Sequence, residues 1–157
     1  MSSNSNDQDA YRKTAVELRI LEGTAETLQS RLNLVTAYLT ELNIAKTTLE
    51  GIEKETPDTS LFVPIGGGSY IKAKLECMDK VIVGAGAGVS IERTMTEAKE
   101  TIQSRIGELE KNRTSIQQQL VQVVERINED RDQLQDLSVK ISQAGRMANV
   151  SEAERRP

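Results

Sequence analysis

The chain has 157 residues, of which 37% are hydrophobic, only 3% aromatic and 28% charged; this suits long, half-exposed helices better than a packed globular core. Its net charge of −4 leaves no basic footprint for nucleic acid. With no histidine and a single cysteine, the commonest metal ligand, the commonest acid–base catalyst and an internal disulfide are all excluded.

The start, MSSNSNDQD, is polar and lacks the apolar block of a signal peptide. No apolar run reaches the ~18 residues of a membrane span. These features place the chain in the cytoplasm, with residues 1–9 expected as a disordered N-terminal tail.

Residues 10–55 read as a first coiled-coil helix. Leu18, Leu21, Ala25, Leu28, Leu32, Val35, Leu39, Leu42, Lys46 and Leu49 follow one another in alternating steps of three and four, the seam of a coiled coil. Lys46 alone breaks the apolar stripe, Gly23 weakens the interior, and Pro57 marks the end of the region.

Over residues 60–92 the period changes to two. Leu61, Val63 and Ile65, then Ile71, Ala73 and Leu75, then Lys80 to Val83, then Val89 to Ile91 predict four short strands in two β-hairpins. Gly66, Gly67 and Gly68 sit where a tight turn needs positive φ, and Gly84, Gly86 and Gly88 are assigned the same work in a looser turn. Cys77, between the hairpins, is either a reactive thiol or an incidental turn residue. The four strands are expected to form one sheet layer whose apolar face two helices cannot cover. Leu61, Val63, Ile65, Tyr70, Ile71, Val81, Val83, Val89 and Ile91 would then drive oligomerisation, by closing a β-barrel between subunits.

Residues 94–148 read as a second coiled-coil helix, followed by a flexible C-terminal tail over 149–157. Its seam is Ile102, Ile106, Leu109, Arg113, Ile116, Leu120, Val123, Ile127, Asp130, Leu134, Leu137, Ile141 and Ala144, interrupted by Arg113 and Asp130. Thr94 and Glu97 have the spacing of a capping box. The fold class is therefore α+β dominated by helix: a long antiparallel two-helix coiled coil bracketing two β-hairpins, with arms of ~60 to 80 Å. In that arrangement Leu42 faces Arg105 and Ile106, Leu18 faces Glu129 and Asp130, and Tyr11 faces Asp136. Arg19 then reaches Asp130 to fix the register, or Asp130 turns to water at a loosened point. Beyond Tyr11 the first helix is too polar to cover Leu137, Ile141, Ala144, Met147 and Val150, which leaves a binding strip or frayed chain.

The stretch VPIGGGSY at 63–70, then DKVIVGAGAGVSIE at 79–92, then Glu97-Ala98 resembles α-class prefoldin subunits. The flanking heptads extend the likeness over almost the whole chain, and two hairpins mark the α class. The resemblance implies a hexamer of two α-class and four β-class subunits built on a double β-barrel. It implies an ATP-independent chaperone, or holdase, that holds non-native client proteins at its coiled-coil tips and passes them to a group II chaperonin. By location, the client-binding residues would be Tyr11, Val16, Ile141, Ala144, Met147 and Val150. No enzyme activity, cofactor, metal, nucleic acid or membrane partner is implied. The alternative is a structural coiled-coil adaptor assembled through its hairpins. A nucleotide site is a poor third reading, because Gly84, Gly86 and Gly88 lack the G-x-G-x-x-G spacing and a strand rather than a helix follows them.

Overall fold

The computed structural model describes residues 2–76 and 79–153, with side chains over 5–76 and 79–146, so Cys77 lies outside the described residues. Its elements run α1 (Ser2–Ile52), β1 (Ser60–Gly66), β2 (Ser69–Lys74), β3 (Lys80–Gly86), β4 (Val89–Thr94) and α2 (Met95–Ala153). Both helices extend further than the apolar pattern indicates. Residues expected as an N-terminal tail stand in α1 from Ser2, and α2 runs on to Ala153.

The chain divides into two compact units, Leu34–Arg113 and the pair Met1–Asn33 with Thr114–Pro157. In both, every position of the two expected seams is buried or half-buried. Leu28, Val35, Leu39 and Leu49 on α1, and Ile102, Ile106, Ile116, Ile127 and Leu137 on α2, are the most completely covered. Burying one such side chain contributes about 1.5–3 kcal/mol, so the seam is the main favourable term available to so apolar-poor a chain.

In the unit containing the chain ends, the helices run antiparallel. Tyr11 shares a groove with Ser138 and Ile141, while Leu28 shares one with Gln119 and Val123. Tyr11 thus lies beside Ser138 and Ile141, close to the expected register. Two interhelical ion pairs flank the seam here, Arg126 to Glu17 at 3.1 Å and Arg131 to Glu22 at 2.8 Å. The seam also reaches one step further back than expected, to a buried Thr14.

Asp130 is the most deeply buried polar residue of this unit, at 1% exposure. Arg19 is not its partner. The Nε of Arg126, one turn earlier on the same helix, lies 3.6 Å from its Oδ1, and Oδ2 has no hydrogen-bond partner. Nor does Asp130 turn to water. Arg126 is itself shared, chiefly with Glu17. That hydrogen bond first, the charge of Glu17 next, and Asp130 and Glu129 after it hold the guanidinium above its usual range.

In the other unit the strands form two separate two-stranded antiparallel sheets, β1 with β2 and β3 with β4, rather than one four-stranded layer. The two hairpins repeat one geometry. Ser60 pairs with Lys74 as Lys80 pairs with Thr94, Val63 with Ile71 as Val83 with Ile91, and Gly66 with Ser69 as Gly86 with Val89. Each ladder shifts register just before its turn, between Pro64 and Gly66 and between Gly84 and Gly86. Both turns have two residues at positive φ, Gly67 and Gly68 in one and Ala87 and Gly88 in the other, the type I′ form that matches strand twist. The second turn is therefore as tight as the first. Gly84 is not part of it: it sits in β3 opposite Ser90, without positive φ.

The start of α2 carries the expected capping box. The Thr94 amide donates to Glu97 Oε2 at 3.0 Å and the Glu97 amide donates to Thr94 Oγ1 at 3.3 Å. Below it Met95, Ala98 and Ile102 are buried, as are Leu49 of α1 and Val83 of β3. Lys99 reaches Glu53, just past the end of α1, at 2.7 Å.

Two outcomes follow. Replacing a buried, half-satisfied carboxyl in an apolar seam with a hydrophobe removes an uncompensated desolvation penalty, so Asp130→Leu should raise stability by about 1–3 kcal/mol, read as a higher melting temperature by circular dichroism. The backbone hydrogen bond to Thr94, ahead of the side-chain bond, pulls the Glu97 carboxyl below its usual range. A depressed folded value means that this contribution is fully present above the unfolded glutamate pKa of about 4.3 and is lost as pH falls through the lower folded value. Melting temperature measured across that acid range should fall less steeply in Glu97→Gln than in the parent.

Candidate functional site

Besides off-seam residues along the helices such as Leu34, Tyr38, Ile44, Val121 and Val124, two exposed apolar surfaces bear on function, one on each unit. The first is on the hairpins. Val63, Ile65, Tyr70, Ile71, Val89 and Ile91 are exposed, and Leu61 and Val81 are half-buried. Val83 is different: it is buried within the chain at 7% exposure and is not offered to a partner. The Gly84 carbonyl beside it accepts a 2.7 Å hydrogen bond from Arg105 of α2, which ties β3 to that helix.

The opposite face of the hairpins is also apolar. Phe62 and Ile82, at matching places in the repeat, are 70% and 76% exposed. Tyr70, opposite Pro64, shares the Phe62 face rather than the Val63 face, because side chains alternate along a strand. The signal for Phe62 and Ile82 lies in the sequence. Apolar residues occupy both parities of β1 and β3.

The second surface is on α1. Val16 and Ile20 are 61% and 63% exposed and stand one helical turn apart, so they fall on one face. With Arg12, Lys13, Glu17 and Leu21 they line a shallow depression of about 450 Å³. Tyr11 is exposed nearby and lines a smaller groove with Gln8, Arg12, Ser138, Ile141 and Ser142. Ile20 was missed from sequence. It lies off the seam, and its spacing of one turn from Val16 is the sequence signal that marks it.

The apolar strip expected on the second helix is partly covered. Ile141 and Ala144 are half-buried. Tyr11 of the expected helix and Gln8 of its extension share a groove with Ile141. Met147 and Val150 stand in α2, but their side chains lie outside the described residues. The structure thus brings Tyr11 and Ile141 together and leaves Val16 beside Ile20 on α1.

Among the described residues no group of three or more Cys, Asp or Glu is placed to hold a metal ion, and no helix is long and apolar enough to cross a membrane. Gly66, Gly67, Gly68, Gly86 and Gly88 take positive φ at the two turns, and the N-terminus of α2 is occupied by its own Thr94 and Glu97 side chains.

Comparison with known proteins agrees with this architecture. Residues 21–140 match the family model described as prefoldin subunit. The chain is 35% identical over 126 residues to the prefoldin subunit alpha of Methanococcoides burtonii, covering 80% of this chain and 83% of that one. It is 33% identical over 123 residues to the prefoldin subunit alpha of Methanopyrus kandleri, covering 76% and 78%. Among solved structures, a chain of the filamentous prefoldin of Methanocaldococcus jannaschii superposes with a TM-score of 0.63 at 25% identity, covering 71% of this chain and 93% of that one. Two heptad helices bracketing two hairpins, and a match over most of the length, lead to one conclusion: the chain belongs to the prefoldin family.

Proposed function

We propose that this chain is the α-class subunit of a prefoldin chaperone, a non-enzymatic holdase that captures non-native proteins and delivers them to a group II chaperonin. The observation that carries this reading is the pairing of two kinds of exposed apolar surface on one chain. One is on strands, where unpaired backbone edges add to the drive for association. The other is on a helix face, solvent-exposed and small.

The strand surface is the assembly surface. Val63, Ile71, Val89 and Ile91 would be covered by hairpins of other subunits in a β-barrel, in an assembly of two α-class with four β-class subunits in the cytoplasm. The helix surface, Val16 and Ile20 on α1 with Tyr11 nearby, is the client surface, and Ile141, Ala144, Met147 and Val150 are assigned to it by the family resemblance. Each patch is too small to bind tightly alone. Several patches in one assembly raise the effective concentration seen by an extended client, so capture is firm while each contact stays weak. Transfer to a chaperonin then proceeds by competition between weak contacts and requires no ATP.

Two measurements test the two surfaces separately. Mixed with a β-class subunit, the parent chain should give an assembly whose mass, by native mass spectrometry, contains two copies of it. Ile71→Asp with Ile91→Asp should shift the mass to that of the single chain. The intact assembly should suppress light scattering of a chemically unfolded protein on dilution, at near-stoichiometric ratios. Val16→Ser with Ile20→Ser should lose most of that protection while keeping the parent mass. Equal protection by parent and variant would reduce the chain to a structural adaptor.

A further inference from the structure

The client surface on α1 has an electrostatic character that narrows what it holds. Val16, Ile20 and Leu21 supply the apolar lining of the depression, and Arg12, Lys13 and Glu17 supply its charged lining. The acid is already engaged, since Glu17 accepts from Arg126 at 3.1 Å. Glu22, the next acid along α1, accepts from Arg131 at 2.8 Å. Arg12 and Lys13 are exposed and form no ion pair among the described residues. Asp9 lies one turn before Lys13 and is exposed, outside the lining, so it weakens the local positive field without closing it.

Arginine and lysine lay their apolar stems against neighbouring hydrophobes and hold the charge at the rim. An occupant whose apolar side chains enter the depression therefore finds unpaired cations at its edge. We propose that this depression selects client segments in which a short apolar run is flanked by aspartate or glutamate, the carboxylates pairing with Arg12 and Lys13. The proposal rests on the reading of Val16 and Ile20 as a client surface, and complementarity of charge at a wet rim adds selectivity and encounter rate more than raw affinity.

The test uses the assembled chaperone and three fluorescent peptides that share one extended apolar core, flanked by aspartate pairs, lysine pairs or serine pairs. Binding is read by fluorescence anisotropy. Two rim pairs of the exposed kind correspond to about a fivefold preference for the aspartate-flanked over the lysine-flanked peptide. That gap should close at about 0.5 M salt, where screening is short-ranged. Arg12→Gln with Lys13→Gln should abolish the gap between the aspartate-flanked and lysine-flanked peptides. Equal binding of acidic and basic peptides, or a gap that survives the Arg12→Gln and Lys13→Gln changes, overturns the charge selectivity and leaves the client surface standing. If Val16→Ser with Ile20→Ser leaves all three affinities unchanged, or if no peptide binds the parent assembly, the client surface itself falls and the selectivity with it.

Discussion

Two helices with few apolar residues can hide those residues only from water and only against each other. This seam is the constraint on which the molecule depends. Alternating steps of three and four keep one narrow stripe on each helix turned inward, from Thr14 to Leu49 on α1 and from Ile102 to Ala144 on α2. Everything outside the stripe is left free for other uses. An off-seam pair such as Val16 and Ile20 can be apolar because the seam, not that face, carries the packing. The cost of so narrow a core is that one misplaced group is felt. Asp130 sits at full burial with one carboxyl oxygen unsatisfied, and its polar neighbours, Arg126, Glu17 and Glu129, are drawn into a shared network beside it.

The hairpins solve a different problem with a repeated device. A bulge, a two-residue turn at positive φ and a short apolar ladder occur twice in the same register. A two-stranded hairpin is not stable alone and needs a further layer to cover it. Here α2 supplies part of that layer to β3, through buried Val83 and the hydrogen bond from Arg105 to Gly84. The remaining apolar residues on both faces stay exposed, which is the physical basis for reading this region as one that meets other chains.

The helix periodicity was legible in full. Every residue assigned to either seam is buried or half-buried, including Lys46, Arg113 and Asp130, which break the apolar pattern but keep its spacing. Spacing survives polar substitution because the geometry of one helical turn does not depend on side-chain chemistry. The ends of the helices were not legible. MSSNSNDQD has the composition of a tail, yet its residues from Ser2 onward continue α1, since adding a residue to an existing helix costs far less than nucleating one. That extension adds Gln8 to the groove in which Tyr11, within the expected helix, lies beside Ile141. The partner of Asp130 was equally out of reach. The choice between Arg19 across the seam and Arg126 one turn back turns on side-chain direction.

Sequence alone determined the kinds of element, their order, the seam residues, and the tight turn at Gly67 and Gly68. All of these follow from local spacing and from backbone preferences that a few neighbouring residues set. Tertiary structure decided which apolar residues remain available. Val63 and Val83 occupy the same place in the two hairpins, and each faces an isoleucine across its ladder. Their local chemistry is the same, yet Val63 is 42% exposed and Val83 is 7% exposed. Burial is a property of what packs on a residue from elsewhere in the chain, and only the second hairpin is tied to α2 by the Arg105 hydrogen bond.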